Sequence, residues 1–333
     1  MDYIGETIPD LELNLSFYGY DFNETDVTKE KSLTFIPYLF VSAFGLVANA
    51  LVLFVILRFR KMWTPTNLYV FSLALGDILH MLCLLFFASE IASGYWPLGK
   101  PMCILFWILT ALIPFSNVYF LTIMSIDVFI QQYFPQVSKK SLRLQVVLTT
   151  SGTVWVVCLL LGIPLYVFAD HTETSSCQIL WPYPSAFWNL TFISYRLVLD
   201  FLFPVLVTCM FLILSGVRLR NQDKATESSS GNIKESIIMI SGLMLVYFVF
   251  WLPTHVLEMI SATVGDLELS EGSYYIISII PYLKSCVYPV LYGFLSKSIK
   301  ETLSAVLCCK KAQDSSSHPN GPSEKQEEKL SSC

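Results

Sequence analysis

Ionisable side chains interrupt long apolar runs at a few places in this chain. They are Asp77 in LALGDIL, Asp127 in TIMSIDVFI, Arg196 and Asp200 in SYRLVLDFLFP, His255 and Glu258 in WLPTHVLEM, and Lys284 in YLKSCVYP. On membrane-insertion scales a charge at the centre of such a run costs about 2.5–3.5 kcal/mol, so each is expected to face other protein and find a partner there. Asp77 and Lys284 form the clearest pair, a carboxylate and an ammonium that attract strongly in a dry interior. Arg196 and Asp200 are four residues apart and share a helix face, while His255 and Glu258 stand four and seven residues after Trp251 on another. This is ion-pairing and recognition chemistry. The histidines, His80, His171, His255 and His318, have no metal-ligand spacing with one another. Neither a glycine-rich phosphate loop nor a nucleophile elbow occurs, so an enzyme is not expected.

The elements that must position these residues follow from composition. Hydrophobic residues make up 54% of the 333 and charged residues 14%, against roughly 45–50% and 25% in soluble domains. Seven apolar stretches, near 33–57, 67–92, 102–133, 144–169, 192–217, 235–263 and 273–295, reach the roughly 20 residues that cross a bilayer core. In lipid the backbone must satisfy its own hydrogen bonds, which makes these stretches helices and the fold an all-α seven-helix membrane bundle. Barrel strands would be shorter, about 10 residues each, and would alternate.

Orientation follows from the basic residues. Loops 58–66, 134–143 and 218–234, with the tail after 295, hold 16 of the 21 lysines and arginines, whereas the other side holds only Lys29, Lys31 and Lys100. The positive-inside rule then puts the amino terminus outside and the carboxyl terminus in the cytoplasm, which requires an odd number of spans. Sequons at Asn14, Asn23 and Asn189 all fall outside in this topology and are expected glycosylation sites. No cleavable signal peptide is expected in the polar, acidic residues 1–32. Cys103 opens the third helix on the outer side and Cys177 lies in the outer loop 170–191, an oxidising location where a bridge is expected. Cys83, Cys158, Cys209 and Cys286 lie within spans as small apolar packers. Cys308 and Cys309 follow the amphipathic run SKSIKETLSAVL, read as a short eighth helix over 296–309, and are expected palmitoylation sites at the membrane lipid. Residues 310–333 have the polar composition of a disordered tail.

The spans also carry polar and kinking residues in a recognisable order: GLVANALV with Asn49, LALGDIL with Asp77, VWVV with Trp155, FLFPVLV with Pro204, FVFWLPTH with Trp251 and Pro253, and CVYPVLYGFL with Pro289 and Tyr292. With WPLG at 96–99 and the two outer cysteines, the chain resembles the rhodopsin-like, seven-helix G-protein-coupled receptors over roughly residues 33–309. Within that family it is similar to the group of somatostatin, opioid and neuropeptide B/W receptors. The resemblance is carried by RKMWTPTNLYVFSLALGD (60–77), YFLTIMSID (119–127), AFWNLTFISYRLVLDFLFP (186–204) and SCVYPVLYGFL (285–295), the third being most like the neuropeptide B/W receptors.

The resemblance implies a sodium site around Asp77, completed at this chain's positions by Asn117, Lys284, Ser285 and Tyr288, with Lys284 expected to replace the ion; no other cofactor is expected. It implies a ligand pocket floored by Trp251, with Tyr282 across from it and Arg196, Asp200, His255 and Glu258 giving mixed charge. The third-helix aspartate that holds a basic group of the peptide in this group is Thr110 here. Asp200 and Glu258 are the carboxylates left to replace it. The activation motifs depart from the family: the acid-arginine-aromatic triplet is Asp127-Val128-Phe129, the Asn-Pro-x-x-Tyr motif is Tyr288-Pro289-Val290-Leu291-Tyr292, and the tyrosine eight residues beyond the fifth-helix proline is Leu212. Asp127, without its arginine, either reaches water or pairs with Lys139, Lys140 or Arg143.

The function implied is a plasma-membrane receptor for an extracellular, basic neuropeptide that signals to heterotrimeric G proteins of the inhibitory type, with arrestin as a further partner of the serine-rich tail. The alternative is an atypical, weakly coupled or non-signalling receptor-like protein, favoured by the loss of the arginine at 128. An outer face with 13 carboxylates against three lysines would concentrate a basic peptide. Nothing points to nucleic acid, and no inverted repeat, paired broken helix or pore charge ring supports a transporter or channel.

Overall fold

The computed structural model describes residues 35–134, 140–171, 176–221, 227–264 and 271–307. Seven long apolar helices run in chain order: α1 (Ile36–Arg58), α2 (Pro65–Ser93), α3 (Gly99–Tyr133), α4 (Lys140–Leu161), α5 (Ser185–Arg220), α6 (Glu227–Val264) and α7 (Glu271–Leu295). A short helix, α8 (Lys297–Leu307), follows α7. The protein is therefore a multi-pass membrane protein of seven spans. Large apolar side chains such as Phe40, Val47, Leu206, Ile213, Leu245 and Phe294 remain on the outside of the bundle, as a lipid-facing surface requires. Asn14, Asn23, Lys139, Cys308, Cys309 and the tail lie outside the described residues.

Local chemistry sets the helix ends. Pro65 takes the first position of α2, where its missing N–H costs nothing, and Thr64 caps the helix by accepting the Asn67 N–H at 3.3 Å. Gly94 closes α2 in the left-handed conformation at φ 73°, a geometry that penalises a side chain. At the start of α8 the Lys297 N–H donates to Glu235 Oε1 of α6 at 2.7 Å, and Ile299, wholly buried, anchors the helix beneath the bundle.

Two prolines shape the interior. Pro204 has no N–H to give the carbonyl four residues back, that of Asp200; α5 passes through a π-helical stretch at Leu197–Leu202, and the Asp200 carbonyl accepts the Tyr247 hydroxyl of α6 at 2.8 Å. Pro289 likewise frees the Ser285 carbonyl of α7, which accepts Asn49 Nδ2 of α1 at 2.8 Å. Each freed carbonyl thus becomes a cross-link between helices. Close packing of α2 on α3 and α4 depends on Gly76, where a Cβ would lie 3.2 Å from Asn117 Oδ1 and 3.6 Å from the Trp155 ring.

The connection between α4 and α5 departs from expectation at both ends. The fourth stretch does not run unbroken to 169: α4 stops at Leu161, because Pro164 cannot donate to the Leu160 carbonyl, and a separate turn spans Ile163–Val167. A two-stranded antiparallel hairpin then pairs β1 (Ala169–His171) with β2 (Cys177–Ile179), with Asp170 opposite Gln178. The Cys103–Cys177 disulfide ties β2 to α3, with the Cα atoms 5.5 Å apart. α5 begins at Ser185 rather than near 192, so Asn189 lies on a helix and not in a loop. The end of the bundle bearing this disulfide is the one assigned to the outside by charge, and it is called the outer end below.

Candidate functional site

The polar residues singled out in the spans form two groups stacked along the bundle axis. In the deeper one, Asp77 Oδ1 accepts from Lys284 Nζ at 2.6 Å, from Ser285 Oγ at 2.8 Å and from Asn117 Nδ2 at 3.4 Å. Asp77 and Lys284 have no solvent exposure, and Asp77 Oδ2 has no described partner. Such a pair is held because charges brought out of water must neutralise one another locally. The ammonium also lies 4.5 Å from the centroid of the Tyr288 ring. Tyr288 belongs to this group by its ring only, because its hydroxyl donates to the Leu243 carbonyl of α6 at 3.1 Å. Asn49 reaches the group through the Ser285 carbonyl, and Tyr292 lies next to Tyr288, ring centroids 6.1 Å apart, with its buried hydroxyl unpartnered among the described residues.

These residues do not fit a sodium ion. The carboxylate that would bind the cation is already neutralised by a lysine ammonium on Oδ1, and a second positive charge beside it would be repelled by the first with little water to screen it.

Above this group a cavity of about 550 Å³ opens toward the outer end. Trp251 and Tyr282 line it as expected, together with Thr110, Arg196 and Glu258. Arg196 Nη1 bonds Glu258 Oε1 at 3.0 Å, linking α5 to α6, and Nη2 is 3.7 Å from Asp200 Oδ2. Asp200 and His255 do not line the cavity. Both are almost wholly buried behind its wall, because the wide π turn directs Asp200 at α6, where Tyr247 also donates to its Oδ1 at 2.9 Å. His255 sits between the two acids at 3.8 Å from Asp200 Oδ2 and 3.9 Å from Glu258 Oε2, too far for hydrogen bonds. The hairpin forms the roof, with Gln178, Ile179 and Trp181 facing the cavity, and Asn189 lines it from the first turns of α5.

Sequence reasoning missed His80. It lines the cavity, stacks on Tyr282 at 4.1 Å between ring centroids and lies parallel to Trp251 at 6.2 Å. Its Nδ1 is 3.3 Å from Ser285 Oγ. Because the Ser285 hydroxyl donates to Asp77, Nδ1 is the donor in its contact with Ser285. His80 therefore joins the cavity floor to the Asp77–Lys284 pair through a single serine. Its position three residues after Asp77, on the same helix face, was the available signal.

At the opposite end Asp127 is half-buried and accepts from Gln131 Nε2 at 2.9 Å. Val128 is 3% exposed within the apolar core and Leu212 packs against that core, so the two changed activation positions fill space with hydrocarbon. Asp127 and Val128 are not brought together with the other polar residues. The side chains of Lys140 and Arg143 lie outside the described residues.

Seven spans, a disulfide from α3 to the hairpin and an outer cavity above a buried polar group define a heptahelical receptor, and the chain belongs to the 7 transmembrane receptor (rhodopsin family), matched over residues 48–292. Receptors of this family are not enzymes. Its relatives include the somatostatin receptor type 5 of Bos taurus, 35% identical over 280 residues that cover 83% of this chain and 76% of that receptor. The type 2 receptor of Mus musculus is 33% identical, covering 85% and 79%, and the type 3 receptor of Homo sapiens 33%, covering 88% and 72%.

Proposed function

We propose that this protein is a plasma-membrane receptor for an extracellular peptide, with its amino terminus outside, that passes the signal to heterotrimeric G proteins. The observation that carries this reading is the outer cavity, walled by α3, α5, α6 and α7 and roofed by the disulfide-tied hairpin, whose floor contacts the buried polar group through His80. A ligand that moves Trp251, Tyr282 or His80 moves atoms that touch residues on α2 and α7, which is how a packed bundle transmits a change inward. The relatives are somatostatin receptors, named for a peptide, and the acidic outer tail and loops suit a basic one. Within the group, the wording of residues 186–204 favours a ligand of the neuropeptide B/W kind, and the resemblance to the group as a whole favours inhibitory G proteins. Glycans on Asn14, Asn23 and Asn189, palmitate on Cys308 and Cys309 and arrestin on the tail complete the proposal.

The test is a panel of basic neuropeptides applied to surface-expressed protein, with binding and cyclic AMP measured separately. The proposal expects at least one peptide that binds and lowers cyclic AMP. Binding without a cyclic AMP or other G-protein response supports a second reading, an atypical receptor that captures ligand without coupling, which the apolar burial of Val128 favours.

A further inference from the structure

We propose that the α5–α6 side of the cavity is a seat for a ligand cation, a guanidinium or alkylammonium group flanked by amide carbonyls, received by Glu258. The inference rests on the receptor reading above and deepens it by naming the chemistry of the ligand. The first observation is a charge imbalance. One guanidinium, Arg196, faces two carboxylates, Asp200 and Glu258, and His255 lies between the acids without bonding either. With both acids ionised the cluster carries a formal excess of one negative charge, at the edge of a cavity whose other described lining residues carry no lysine, arginine or acid. An anionic ligand is disfavoured there, because the one cation in the wall already serves two carboxylates.

The second observation is a set of unpartnered polar atoms on residues that line the cavity, Glu258 on the α6 wall among them. Glu258 Oε1 is bound by Arg196, but Oε2 is buried and has no hydrogen bond. A carboxylate oxygen withheld from both water and a donor is costly, and a ligand cation relieves that cost while matching the excess charge. Trp107, Trp251, Thr110 and Thr254 also line the cavity, and their Nε1 and Oγ1 atoms are buried without a hydrogen bond; Trp251 is 4% exposed. Indole N–H groups only donate, so a ligand that engages them offers acceptors beside its cation, as the carbonyls of a peptide bearing arginine or lysine do. The aromatic faces of Trp251 and Tyr282 suit the alkyl stem and the cation. On α3, Thr110 presents a hydroxyl and no charge, so the seat lies across the cavity, on α6.

The experiment uses the purified full chain in nanodiscs and two probes of equal shape, N-acetyl-arginine amide and the uncharged N-acetyl-citrulline amide, in thermal unfolding. Arginine amide at saturating concentration is expected to raise the midpoint by about 2–4 °C and citrulline amide to leave it unchanged. Glu258→Gln, which keeps an oxygen for Arg196 and removes the charge, should abolish the shift, and Glu258→Asp should keep part of it. Equal shifts from both probes, no shift from arginine amide, or a shift that survives Glu258→Gln would each overturn the proposal. If Glu258→Gln does not fold, the native comparison of the two probes and the Glu258→Asp variant decide. The readout needs no G protein, so its failure leaves the receptor reading standing. A chain that takes the arginine probe but gives no exchange with any peptide fails the receptor reading alone.

Discussion

Lys284 Nζ lies 2.6 Å from Asp77 Oδ1, with both side chains closed off from solvent, so a cation tethered to α7 neutralises the central carboxylate of α2. Removing one member of such a pair leaves a bare buried charge, at a cost of about 3–5 kcal/mol. Lys284→Ala should therefore lower the thermal midpoint sharply, and Asp77→Asn added to it should recover much of the loss. The native chain should show no difference between sodium and matched choline chloride, whereas Lys284→Ser should gain a saturable, Asp77-dependent stabilisation by sodium. A saturable sodium response of the native protein would contradict the tethered-cation account.

The hydroxyl of Tyr247 holds both the carbonyl and the side chain of Asp200. Tyr247→Phe leaves buried acceptors without a donor and should destabilise by about 1–3 kcal/mol in chemical unfolding. Because the carbonyl is free only on account of Pro204, Pro204→Ala should be less harmful in the Tyr247→Phe background than in the native one. A double-mutant cycle reads this directly, and strict additivity would show that the two are not linked.

His80 is predicted to act through two separable contacts. His80→Phe keeps a ring against Tyr282 but removes the donor to Ser285, a loss of about 0.5–1.5 kcal/mol. His80→Ala also removes the stack and should cost about 0.5–1.5 kcal/mol more. If His80→Phe proves as damaging as His80→Ala, the stack contributes nothing.

Val128 separates the two readings of coupling. Purified protein with a G protein should show peptide-stimulated nucleotide exchange in the native chain, with Val128→Arg altering its extent only. If the native chain is silent and Val128→Arg is active, the burial of hydrocarbon at this position is what uncouples the receptor. Thermal unfolding of the variant provides the control, since a guanidinium placed among core residues destabilises unless Asp127 receives it.

The spans and the need for Asp77 and Lys284 to find partners were legible in the chain because both follow from the free energy of single residues in lipid, a property that composition and order carry. The pairing itself was a deduction by complementarity, across 207 positions of sequence. Tertiary structure alone decided how each helix is rotated about its axis and hence which neighbour a polar side chain meets. Arg196 shares a helix face with Asp200, yet it bonds Glu258 at 3.0 Å and leaves Asp200 at 3.7 Å, because a π turn and packing against α6 set the facing surfaces. For the same reason Asp200 and His255 lie behind the cavity wall and the Tyr288 hydroxyl turns to Leu243. His80 acquires its place between cavity and ion pair only when α2 and α7 are brought together. Hydropathy fixes that a helix is in the membrane, but a rotation of a few tens of degrees, settled by the sum of its contacts, fixes what its charges do.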